Sequence, residues 1–185
     1  MNKIAITGSI GSGKSTALNY FKKAGYFTLS SDAVIKEIYN NDESRVALLK
    51  RLGIKSKDYK KEIIEKLKSP IFNYKLKRAI YPLMNRLRLK KIPSFNSKKK
   101  TIFEIPLLYE EKLEKNYDIV IFIKSNYKIR LKRVLDKGIS KEYFKTMDGY
   151  QYTDAIKENL SSITIFNNGS KYDFYNSLVK CEKSL

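Results

Sequence analysis

Eight consecutive residues, Gly8-Ser9-Ile10-Gly11-Ser12-Gly13-Lys14-Ser15, fit the pattern GxxxxGK[ST] without a mismatch, and Thr16 comes next. The chemistry that pattern serves is capture of a nucleoside triphosphate. Glycines at 8, 11 and 13 let the backbone wrap with positive φ and approach an anion closely. The amides of residues 11 to 16 can then point at phosphate oxygens, helped by the positive end of the helix that comes next. Lys14 reaches the β- and γ-phosphates as a mobile charge, and Ser15 offers a hydroxyl to Mg²⁺. Gly11, Ser12, Gly13, Lys14, Ser15 and Thr16 are the expected nucleotide ligands.

Two carboxylates come after apolar runs at places where phosphoryl chemistry would use them. Asp32 ends Leu29-Ser30-Ser31-Asp32, just past a strand and, in a parallel sheet, next to the phosphate loop. A carboxylate there can take or orient the proton of an attacking hydroxyl, or hold Mg²⁺ through water. Ser31 or Asp32 equally suits the N-cap of a helix starting at Ala33, and the two roles are compatible. Glu104 closes another apolar strand, which suits either a place near Mg²⁺ or an ordinary salt bridge.

Composition removes other chemistries. Histidine is absent, which excludes a Ser-His-Asp triad, a His-ligated zinc and an imidazole base. The single Cys181 allows no intrachain disulfide, and no His is present to activate it. Net charge is +19, mostly from lysines spread along the chain, which reads as a general drift in residue usage more than a nucleic-acid patch. No apolar run approaches the roughly 20 residues of a membrane span, and MNKIAITGS does not read as a signal peptide. The reading is a soluble cytoplasmic protein.

The elements that position these residues alternate. Strand-like runs lie at 3–7, 26–29, 101–103, 119–123 and 163–166. Helical stretches lie at 14–24, 33–40, 44–51, 58–68, 72–91, 126–137, 141–159 and 171–183. Continuous apolar runs bounded by charge indicate buried parallel strands. The expected fold is α/β, a P-loop NTPase fold with a parallel sheet flanked by helices, forming one domain over 1–185. The segment at about 43–95 has no strand candidate and is expected as a helical insertion packed beside the sheet. No guanine-reading NKxD element occurs, since Asn116-Tyr117-Asp118 lacks the Lys. The length of 185 residues suits a small-molecule kinase.

Together these residues resemble the dephospho-CoA kinase family. The phosphate loop Thr7–Thr16 matches its TGxIGSGKST form, with Ser9 at the variable position. Ser31-Asp32-Ala33-Val34-Ile35 matches its Asp after the second strand, and Glu104-Ile105-Pro106-Leu107-Leu108-Tyr109-Glu110 matches its (D/E)xPLLxE element. Leu131-Lys132-Arg133 matches part of the lid signature, Gln151 the Gln after the lid, and Asn167-Asn168-Gly169 the terminal turn. Departures are Tyr81-Pro82 for an HP pair, Ser161-Ser162 for an AD pair, Lys137 for a second lid Arg, and Met147 for another Arg. The resemblance implies transfer of the γ-phosphoryl of ATP, with Mg²⁺, to the ribose 3′-hydroxyl of dephospho-CoA. It makes Asp32 the base or orienting carboxylate, Lys14 and Arg133 the groups that neutralise developing charge, and Asn167 an ATP-site residue. It also makes the helical insertion at about 43–95 a cover for the acceptor and about 126–150 a helical lid, and Lys61, Arg78, Arg86 and Arg88 could meet the acceptor's pyrophosphate, against a plain reading as solvated helix charges. On spacing alone Arg130, Lys132 and Arg133 are surface charges, and the resemblance singles out only Arg133.

Three alternatives stay open: another P-loop nucleoside or small-molecule kinase, a basic nucleic-acid-binding ATPase, and a non-catalytic relative. The second needs exposed aromatics among the charges. Tyr20, Tyr39, Tyr74, Tyr81 and Tyr109 instead fall at spacings that suit packing.

Overall fold

β1 (Lys3–Thr7), β3 (Thr101–Glu104) and β4 (Ile119–Lys124) are apolar along almost their whole length, and their inner residues are buried on both faces. Such strands suit a parallel sheet covered on both sides. In the computed structural model, which describes residues 3–67, 69–91 and 100–185 and the side chains of these except 70, 85 and 89, they form the centre of a five-stranded parallel sheet. With β2 (Phe27–Ser30) and β5 (Ile163–Phe166) at the edges, the order is β2-β3-β1-β4-β5. Register pairs Ile6 with Glu104 and with Ile121, and Ser30 with Glu104. β2 therefore pairs with β3, and β3 separates it from β1. The end of β2 is one strand removed from the phosphate loop, not next to it as expected.

The described residues divide into two compact units, 3–30 with 100–185, and 31–91. In the first, α1 (Lys14–Lys23) and α9 (Lys171–Lys183) cover one sheet face, where Ala17, Phe21, Phe174 and Leu178 pack with Ile4, Ile6, Ile121 and Ile123. Cys181 belongs to this core, and burial pushes its thiol up to about 11, so it stays protonated. α6 (Tyr127–Leu135) and α7 (Lys141–Gly149) come after β4, and α8 (Asp154–Leu160) precedes β5. Lys124 of β4 pairs with Glu158 of α8 at 2.6 Å. α9 opens with a reciprocal cap between Ser170 and Asp173.

The second unit contains α2 (Ser31–Asn40), α3 (Asp42–Leu52), α4 (Tyr59–Lys66) and α5 (Pro70–Lys91). Asn41 caps α3 by accepting from the Ser44 amide, and Gly53 ends it at φ 73°. Tyr39 stacks on Tyr59, and Lys91 pairs with Glu37 at 2.8 Å. Pro82 inside α5 has no N–H to give to the preceding turn.

Three further expectations change. α2 starts at Ser31, not Ala33, so Ser31 and Asp32 lie in its first turn. The single helix expected over 141–159 is two, because Thr153 accepts from the Ile156 amide and starts a new helix after Gly149. Tyr74 is exposed, not packed. Residue 68, the expected end of one helix, and residues 92–95, the expected end of the insertion, lie outside the described residues. Among the described residues no helix is long and apolar enough to cross a membrane.

Candidate active site

The phosphate loop joins the carboxyl end of β1 to the start of α1. Gly8, Gly11 and Gly13 have φ of 156°, 77° and 107°. The last two lie in the left-handed region that favours glycine. Space is as restrictive as dihedral: a Cβ at Gly11 would meet the Arg130 carbonyl at 2.6 Å, and one at Gly13 would meet Asn167 Nδ2 at 2.3 Å. Lys14 is buried and donates to the carbonyls of Gly8 and Ser9 at 2.8 and 3.1 Å, which holds its ammonium over the loop. Ser15 and Thr16 are exposed at the start of α1.

Asn167 lies just after β5 and is buried. Its Nδ2 donates to the Ser12 carbonyl at 2.7 Å. Arg133 on α6 donates to both the carbonyl and Oδ1 of Asn167, each at 3.1 Å, and to Ser125 Oγ at 3.3 Å. Half-burial lowers the Arg133 pKa from its ordinary value. The loop, Lys14, Asn167 and Arg133 are thus one connected group, although Asn167 is 155 residues from Ser12.

Arg130 corrects the reading from spacing. It is not a surface charge but is buried. It donates to the Ser125 carbonyl at 3.0 Å and the Ile10 carbonyl at 3.2 Å, and pairs with Asp148 at 2.6 Å. Gln151 holds the other side of the same residue. Its Oε1 accepts from the Ile10 amide at 2.9 Å, and its Nε2 donates to the Pro106 carbonyl at 3.1 Å. Two groups gave no sign in the sequence. Asp154 accepts from Ser9 Oγ at 2.8 Å. Lys157 is wholly buried, 3.2 Å from Glu110 of the PLLxE element, and burial lowers its pKa. Its helix neighbours Ile156 and Leu160 are the exposed ones, so apolar periodicity points to the wrong face.

The departures find partners. Ser161 Oγ lies 2.7 Å from the Tyr109 hydroxyl, and Ser162 Oγ accepts from the Val120 amide at 3.1 Å. Tyr81 and Met147 are half-buried, and Lys137 is exposed past the end of α6. Glu104 is buried within β3.

In the helical unit Asp32 is exposed in the first turn of α2, which continues from β2 without an intervening residue. Ser31 beside it is buried, and its Oγ accepts from Arg88 at 2.8 Å. Lys61, Arg78 and Arg86 are exposed, with the Arg78 guanidinium over the Tyr74 ring.

The family model for dephospho-CoA kinase (CoaE) matches residues 2–173. The chain belongs to the dephospho-CoA kinase family. A dephospho-CoA kinase of Rickettsia conorii is 38% identical over 144 residues, 75% of this chain and 73% of that one. Among solved structures, TT1252 from Thermus thermophilus matches with a TM-score of 0.85 at 23% identity, covering 99% of this chain and 96% of that one. A dephospho-CoA kinase from Campylobacter jejuni has the same fold, with a TM-score of 0.64 at 22% identity over 99% of this chain and 96% of that one. Membership identifies a kinase, a transferase of coenzyme A biosynthesis, and a P-loop kinase uses ATP.

The loop fits such a nucleotide. Gly11 and Gly13 keep the loop in a left-handed turn, and Ser12 Oγ is buried without a hydrogen-bond partner among the described residues. Ser15 places a hydroxyl at the helix start, where it could hold a nucleotide-borne Mg²⁺.

Proposed function

We propose that the chain transfers the γ-phosphoryl group of ATP to the ribose 3′-hydroxyl of dephospho-CoA. The observation that carries this reading is the phosphate loop with Lys14 and Arg133 held on its rim, in a chain of this family. ATP with Mg²⁺ supplies the phosphoryl group, and ADP is the leaving group. Gly11, Ser12, Gly13, Lys14, Ser15 and Thr16 bind the phosphates through their backbone amides, with Ser15 also offering its hydroxyl to the metal. Lys14 and Arg133 offset the charge that develops on the transferring group. Both now satisfy main-chain carbonyls, so they exchange those partners for phosphate oxygens without leaving the loop. Asn167 keeps the loop's second half in place through Ser12.

Asp32 takes or orients the proton of the acceptor hydroxyl. Its place in the first turn of α2 supports this, because the helix fixes the carboxylate while leaving it open to solvent. Arg88 holds Ser31 and so steadies that turn, while the exposed Lys61, Arg78 and Arg86 remain open to an anionic acceptor. The helical segment from about 43 covers the acceptor, and α6 and α7 act as the lid. The site of action is the cytoplasm.

The test is ADP release from ATP and Mg²⁺ with dephospho-CoA, with adenosine, or with no acceptor. Release should require dephospho-CoA, and Asp32→Ala should lower it by about 10²–10⁴-fold. Release with adenosine alone, or without an acceptor, would sink the assignment and leave only the nucleotide site.

A further inference from the structure

The tip of the phosphate loop is as fully occupied as its rim. Three of its polar groups have side-chain partners: the Ile10 amide, the Ile10 carbonyl and the Ser9 hydroxyl. Each is taken by a side chain distant in sequence. Gln151 accepts from the amide, Arg130 donates to the carbonyl, and Asp154 accepts from the hydroxyl at 2.8 Å. Two of the three come from the short link between α7 and α8 and the first residue of α8.

A link of this kind holds its side chains in place only if it is itself anchored. Here the anchor is Glu110. Its Oε1 accepts from the Tyr152 amide at 2.7 Å and lies 3.2 Å from Lys157 Nζ. Lys157 is wholly buried one helical turn after Asp154. Thr153 caps the helix that carries both. Asp154 therefore stands on a segment fixed at both ends, with its carboxylate aimed at the loop.

We infer that Asp154 is a positioning residue for the nucleotide, acting through the Ser9 hydroxyl to hold the loop's tip in the shape that receives phosphate. This rests on the reading of the loop as a nucleotide site and adds a residue to it. A loop ordered before binding has less conformational freedom to lose when the phosphates enter. Loss of the contact should weaken ATP, not the acceptor. The competing role is that of an acid in the first turn of a helix, which stabilises α8 by charge alone. The two separate by substitution. Asn keeps an oxygen for the Ser9 hydroxyl but removes the charge, and Ala removes both.

The experiment measures the dissociation constant of a fluorescent ADP analogue with the full-length chain, and the KM for ATP and for dephospho-CoA. Asp154→Ala and Ser9→Ala should each weaken nucleotide binding by about fivefold, the scale of one hydrogen bond. The double variant should be no weaker than either single one, because both remove the same contact. Asp154→Asn should stay within about twofold of the parent. KM should rise for ATP and not for dephospho-CoA. Unchanged nucleotide affinity in Asp154→Ala overturns the inference, as do additive effects in the double variant or an Asn variant that behaves like Ala. A variant that merely folds less well lowers kcat with both KM values unchanged, which also overturns it. Failure of the parent to bind the analogue would overturn this inference and the nucleotide reading together. Binding without dephospho-CoA turnover would remove the acceptor assignment and leave this inference standing.

Discussion

Gly13 has φ 107°, and a methyl group on it would stand 2.3 Å from Asn167 Nδ2. Gly13→Ala therefore carries two penalties. The backbone strain is about 1–2 kcal/mol, and displacing Asn167 from the Ser12 carbonyl adds about 1 kcal/mol. Thermal unfolding should report that loss of stability, and nucleotide titration should show binding weakened by more than about tenfold. An unchanged affinity would mean that Asn167 moves aside without disturbing the loop. The motif was legible at this scale because its chemistry is local: a strand, three glycines, a Lys and a Ser within a dozen residues. Arg130 was not legible. Its spacing marks it as one of three charges on a helix, and only the Ile10 carbonyl 120 residues away makes it part of the loop's support.

The elements were read with small errors at their ends and one larger error. The run 141–159 reads as one helix on periodicity, although Gly149 and Thr153-Asp154 are the stop and start signals that mark the break. The break comes because Gln151 and Tyr152 turn their polar groups toward Ile10 and Glu110, and Thr153 caps α8 immediately afterwards. The element that results depends on the buried Lys157–Glu110 pair. Lys157→Met leaves the Glu110 carboxylate buried without its counter-charge, which should lower stability by about 3–5 kcal/mol in a denaturant titration. Lys157→Met with Glu110→Gln removes both charges and keeps an acceptor for the Tyr152 amide, and should recover most of that loss. If the single variant is as stable as the parent, the pair does not anchor α8.

At the scale of the molecule the net charge of +19 acts on encounter more than on architecture. The association rate of a fluorescent nucleotide should fall about severalfold between low and physiological salt, while dissociation changes little. A rate independent of salt would show that the positive charge is too evenly spread to steer an anion. What the sequence by itself determined is the phosphate loop, the alternation of buried strands with helices, and the match to one kinase family. These depend on side-chain periodicity and on neighbours a few residues apart. The tertiary structure alone decided that β3 lies between β2 and β1. It alone placed Lys157 in the interior beside Glu110, and brought Arg130, Gln151 and Asp154 to the tip of the loop. Those outcomes depend on which polar groups must find partners once water is excluded, and the loop's partners lie more than a hundred residues away in the chain.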